Sequence, residues 1–135
     1  MQTARVQWVG KERFVAQAPS GHMVALDSDR SSNGAPGPME LLLIALGTCT
    51  ATDVVSILAK KRQKLDSLEV EVSGERAAEP PTVWVKLEIV YKLRGEVDEE
   101  AVDHPIQLSE EKYCSVAAML RKTAPITFRY EIKTV

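Results

Sequence analysis

Two cysteines and two histidines are scant material for a metal site in 135 residues. His22 and His104 form no HxH or HExxH spacing, and Cys49 and Cys114, 65 positions apart, form no CxxC. A metal cluster or a cysteine–histidine hydrolase therefore has no motif to rest on. No glycine-rich phosphate loop is present. An excess of one charge is also missing. The formal net charge is −2, with the two signs interspersed, which leaves neither a basic nucleic-acid footprint nor an acidic tail. The opening, MQTARVQWVG, alternates like a strand and lacks the apolar stretch of ~7–15 residues that marks a secretory signal. A cytoplasmic protein is expected. In that reducing compartment a purely structural disulfide is not. No repeat, low-complexity segment or linker interrupts the chain, so a single domain spanning residues 1–135 is expected.

What the sequence does have is one long apolar run, PMELLLIALGTCTATDVVSILAKKR, from Pro38 to Arg62. In its first half Met39, Leu41, Leu42, Leu43, Ile44, Ala45 and Leu46 cover every face of a helix, and such a helix must be buried all round. Gly47, Thr48, Thr50, Thr52 and Asp53 interrupt it. It is therefore read as falling short of the ~20 apolar residues of a membrane span, and no membrane association is expected. Pro38 suits the first turn of this helix, where its missing N–H is not needed.

Before the helix, Thr3–Val9, Phe14–Ala18 and His22–Asp27 read as three strands of an antiparallel meander. DSDRSSNGAPG comes next and is a loop by composition. After the helix, alternation marks a strand at Leu68–Ser73 and a long one at Val83–Leu93, both antiparallel by pattern. Asp98–Asp103 opens a short helix that Pro105 should stop or kink. Ser109 reads as the cap of a second helix, Glu110–Lys122. Ile126–Ile132 alternates as the last strand. The fold class is α+β. About six strands and one further good helix are too little cover for the long helix in a single chain, so a homodimer that shares it as core is expected.

Cys49 sits mid-helix, with Thr48, Thr50 and Thr52 around it and Asp53 one turn on. A free cysteine is often no more than a small core hydrophobe, but a polar pocket around one would cost stability without a use. Cys114 lies about one turn inside the expected second helix. The helix dipole would favour its thiolate there, and Glu110 and Glu111 oppose it. Glu40 reads as a first-turn acid complementing the dipole, or as an acid that positions a cation. Nine residues separate Glu40 from Cys49, which is ~13 Å and opposite faces on a regular helix. Either the helix breaks near Gly47, or Glu40 serves a site other than its own chain's Cys49. Arg13 and Arg30 are the cations that precede the helix.

Taken together, SSNGAPGPMELLLIALGTCTATDVVSILAKKRQ and LSEEKYCSVAAMLRKTAPI closely resemble the OsmC/Ohr family, in its OsmC-like branch. The resemblance implies an α+β fold in an intertwined homodimer, with antiparallel sheets wrapped around long central helices. It implies a thiol peroxidase that reduces organic hydroperoxides at sites in the dimer interface and needs no cofactor beyond an external dithiol reductant. Cys49 would be the peroxidatic cysteine and Cys114 the resolving one. An N-terminal arginine, best matched by Arg13, and a glutamate at the start of the long helix, Glu40, would assist. The family pattern there is Pro-Glu-Gln-Leu or Pro-Glu-Glu-Leu. This chain has Pro38-Met39-Glu40-Leu41, which puts the acid one residue later. Leu42, Leu46 and Met119 are expected as apolar walls favouring alkyl hydroperoxides. The competing reading is a dimeric small-molecule-binding or redox-sensing protein with no turnover.

Overall fold

The computed structural model describes residues 1–134. The chain forms two compact units, residues 1–42 and the chain from Leu43 onward. In the first, β1 (Arg5–Trp8), β2 (Arg13–Gln17) and β3 (Met23–Asp27) make the expected antiparallel meander, in the order β1-β2-β3. The register sets Trp8 opposite Phe14 and Arg13 opposite Asp27. This sheet buries little. Val6, Trp8, Val9, Met23 and Val24 are exposed, and only Asp27 among its strand residues is fully buried.

Helix α1 (Pro38–Lys60) begins in the first unit and runs unbroken past Gly47. It buries one stripe, Leu46, Thr50, Val54 and Leu58, spaced four apart. Ile44, Thr48, Thr52 and Val55 remain exposed. The single chain therefore does not bury α1 on every face. By length and composition alone α1 is apolar enough to cross a membrane, a test that the core helix of a soluble protein also passes. The interrupting threonines do little to change that, because their hydroxyls are spent inside the helix. Thr48 donates to the Ile44 carbonyl (2.8 Å), Thr50 to Leu46 (3.1 Å) and Thr52 to Thr48 (2.8 Å).

In the second unit, β4 (Lys64–Arg76) and β5 (Trp84–Glu96) pair antiparallel, and β6 (Ile126–Lys133) joins the other side of β5. β6 runs parallel to β5, which corrects the expected all-antiparallel arrangement. The physical reason is the crossover. Between β5 and β6 the chain passes through helices, and a long helical connection can return the next strand in the same direction. Leu87, Ile89, Tyr91 and Leu93 alternate on the buried face of β5. They cluster with Leu46, Val54 and Leu58 of α1 and with Val102 and Ile106 of the crossover.

That crossover differs most from expectation. Pro105 does not end a helix; α2 runs from Glu99 to Leu108 with Pro105 inside it. A proline there cannot bond the carbonyl four residues back. The carbonyl in question, of Ala101, accepts from the Lys61 ammonium at 3.5 Å instead. Ser109 is no cap either: it opens a π-helical turn, Ser109–Tyr113. The break falls at Cys114, which is extended (φ −77°, ψ 103°) and caps α3 (Ser115–Leu120).

Gly95 shows what the β4–β5 pairing demands. It is buried with φ +145°, and an added Cβ would lie 2.2 Å from the Lys64 carbonyl oxygen. Gly95→Ala is expected to lower stability by ~2 kcal/mol or more, from the conformational penalty and the backbone clash together. A shift of the urea midpoint measures it; an unchanged midpoint would mean the strands re-register freely here.

Candidate functional site

In the first unit, the site is built around a buried carboxylate. Asp27, at the end of β3, accepts from the Ser32 hydroxyl (2.7 Å), the Asp29 N–H (2.9 Å) and the Gly34 N–H (3.0 Å). Arg13 Nε lies 3.6 Å away. These contacts hold the Asp27 carboxyl down at about 2. The Ser32 bond is the largest cause, followed by the two amides, and the Arg13 charge is the smallest. The stretch read as a loop by composition is thus a set of side-chain-bonded turns, which Asp, Ser, Asn and Gly favour.

This turn cluster presents Arg30. Its guanidinium donates to the Glu40 carboxylate, to the Asp27 carbonyl and to the Ala35 carbonyl (3.0 Å). Glu40 Oε1 also accepts from the Gly37 N–H at 3.2 Å. That is the third helical residue reaching back to the residue before Pro38, as in half of a capping box. Gly37 leaves room for it: a Cβ there would come 3.2 Å from the Arg30 guanidinium carbon. The acid thus keeps a cation although it stands one position later than the family pattern. The cation is Arg30, whereas Arg13, the preferred match from sequence, pairs with Asp27.

In the second unit the two cysteines meet. Both are free; Cys49 is half-buried and Cys114 buried. Cys114 is not one turn inside a helix, as expected, but is the cap itself: its sulfur accepts from the Ala117 N–H at 3.3 Å. Burial nevertheless pushes the Cys114 thiol up to about 12. Its hydrogen bond to Cys49 adds to that, and the Ala117 bond opposes it. Cys114 is therefore the thiol that burial holds protonated.

The threonine hydroxyls bond within their own helix, Thr50 also reaching Tyr91, and do not surround Cys49 with a polar pocket. The other polar contacts of this unit are made across the crossover. Ser109 Oγ donates to Asp53 Oδ2 at 2.7 Å. Tyr91 OH donates to Glu110 Oε1 at 2.7 Å, and Arg121 Nη2 lies 3.4 Å from Glu110 Oε2. Burial raises the Glu110 carboxyl; the Tyr91 bond and the Arg121 charge pull it back, and Asp53 adds to the rise. Burial, and next the bond to Glu110, raise Tyr91. Asp27 and Tyr91 were not singled out from sequence. Glu110 was read, with Glu111, as an acid opposing a Cys114 thiolate, with no sign of its burial or of its Tyr91 partner. Of the expected apolar walls, Leu46 is buried in the core, while Met119 and Leu42 are exposed. Among the described residues, no group of three or more His, Cys, Asp and Glu is arranged to hold a metal ion.

The sequence model of the OsmC family, described as OsmC-like protein, matches residues 31–129. The chain belongs to the OsmC-like family. Within it, Protein YhfA of Escherichia coli K12 is 42% identical over 130 residues, 96% of either chain. A crystal structure of a hypothetical protein from Aquifex aeolicus is similar at a TM-score of 0.90 and 30% identity, covering 100% of this chain and 98% of that one. An organic hydroperoxide resistance protein of Legionella pneumophila shares the fold at a TM-score of 0.72 and 12% identity, covering 97% and 96%. The family and the α+β class expected from sequence are borne out.

Asp27 gives this OsmC-like chain a specific acid response. An ordinary aspartate takes up its proton near 3.8, and Asp27 in the fold does so at about 2. Its folded value is depressed, so the stability it confers is present above pH ~4 and is lost as pH falls toward about 2. The stability difference between wild type and Asp27→Asn should therefore shrink across that interval. Urea unfolding at pH 5, 4, 3 and 2 measures it; a constant difference would rule out the charge as its source.

Proposed function

We propose that this OsmC-like protein reduces organic hydroperoxides, with Cys49 as the attacking thiol and Cys114 as the resolving one. The observation that carries this is that two free thiols are gathered in one core cluster, Cys49 half-buried and Cys114 buried, where burial raises the Cys114 thiol. Two equivalent thiols would compete; here one is held back. The Cys49 thiolate attacks the peroxide O–O bond. A sulfur–oxygen bond forms, the O–O bond breaks, and the alkoxide leaves as alcohol after protonation. Cys114 then attacks the Cys49 sulfenic acid. The disulfide forms, and the hydroxyl leaves as water with the Cys114 proton. An external dithiol exchanges with the disulfide and restores both thiols. No cofactor enters.

The working form in this proposal is a homodimer in the cytoplasm. Ile44 and Val55 on α1 and Val6, Trp8 and Met23 on the first sheet are exposed in one chain, and a second copy would cover them. Because α1 does not break, the Arg30–Glu40 pair is assigned to Cys49 of that second copy, where a cation would orient the peroxide. Sedimentation should give twice the mass of one chain at micromolar concentration. A monomer that turns over peroxide would exclude this assignment.

The activity is tested with tert-butyl or cumene hydroperoxide and a dithiol, measuring peroxide loss over time. Cys49→Ser should abolish it. Cys114→Ser should leave Cys49 able to react once and then accumulate as sulfenic acid. Arg30→Ala should slow turnover by ~10-fold or more, equivalent to at least ~1.4 kcal/mol of barrier, and Arg13→Ala by less. Peroxide loss as fast in Cys49→Ser as in wild type would refute the mechanism. Absence of turnover in wild type would favour a binding or redox-sensing dimer.

A further inference from the structure

Glu110 has no task in that reaction, yet it is almost fully buried, with 3% of its surface exposed. A carboxylate is seldom buried so far unless it is paired. Three elements converge on it. Tyr91 comes from β5, Arg121 lies just past α3, and the π turn that carries Glu110 itself ends at Cys114. The Cys114 N–H closes that turn on the Ser109 carbonyl at 2.9 Å. We infer that Glu110 is a positioning residue for the disulfide-forming half of the reaction: anchored by Tyr91 and Arg121, its carboxylate fixes the turn that ends at Cys114 and holds that thiol in reserve until Cys49 is oxidised. The inference rests on the peroxidase reading for its purpose, but the property itself belongs to the reduced protein.

The charges around the second thiol have definite signs. From α1 come Cys49 and Asp53, from β5 Tyr91, from the π turn Glu110, and from beyond α3 Arg121. Glu110 adds a negative charge that disfavours a Cys114 thiolate, the smallest of the causes, after burial and the bond and charge of Cys49. Arg121 is half-exposed and offsets the Glu110 charge only in part. Replacing Glu110 by glutamine keeps an oxygen for the Tyr91 hydroxyl and removes the charge.

The test uses reduced protein and no peroxide. Cys114 alkylation by iodoacetamide is measured from pH 7 to 12 in Cys49→Ser and in Cys49→Ser with Glu110→Gln. The expected result is that the inflection of rate against pH moves down with Glu110→Gln, so that alkylation near pH 9 rises several-fold while the high-pH plateau is unchanged. A structural role alone would raise the plateau through exposure and leave the inflection in place. An unmoved inflection overturns the inference even if peroxide turnover is established. A moved inflection without turnover in wild type leaves the charge effect standing and refutes the peroxidase reading instead.

Discussion

The packing that gathers Cys49 and Cys114 into one core cluster joins parts of the chain 65 residues apart. One thiol comes from a long regular helix, the other from the point where a second helical run breaks. Neither element would place its sulfur without the other's packing. Cys114 is in the core with Leu46, Val54 and the buried face of β5, and that burial is the main reason it stays protonated. Packing and reactivity are therefore one constraint here. The apolar contacts that stabilise the second unit also hold the Cys114 thiol protonated.

A comparable economy governs the first unit. Its sheet has almost no core, so its end is organised by hydrogen bonds. Asp27 gathers two amides, a hydroxyl and a guanidinium, and its own backbone carbonyl accepts from Arg30. Arg30 is thereby fixed at the head of α1, where Glu40 can meet it while also bonding the Gly37 amide. A surface ion pair of this kind is worth little by itself. Here its geometry is imposed by a buried carboxylate that the pair does not include.

Much of the fold was legible in the sequence because it rests on periodicity. The meander of β1 to β3, the helix from Pro38 and the alternation of β5 all come from residue spacing. The errors came where tertiary partners override local rules. Pro105 should break a helix, yet Lys61, 40 positions before Ala101 in sequence, takes the freed Ala101 carbonyl. Ser109 has the chemistry of a cap, yet its hydroxyl is bonded to Asp53 on α1. The preference for Arg13 over Arg30 was undetermined by any local rule, because what separates them is the folded loop. Tyr91 carries no local mark, since it alternates as a strand residue should; the sign of Glu110's effect on Cys114 was legible, but its burial and its partners were not.

The π turn from Ser109 to Tyr113 has a consequence for phase. A wide turn contains one residue more than a regular one, and each residue advances a helix by ~100°. The extra residue rotates the end of the turn by that amount, up to the break at Cys114, which is extended. It is at this point that Cys114 is carried into the core while its neighbour Tyr113 is left half in water. Which of these adjacent side chains faces inward is thus decided by the backbone, the wide turn and the extended residue that ends it, not by their relative apolarity. The sulfur, smaller than the phenol ring, takes the inner place, in the same core cluster as Cys49.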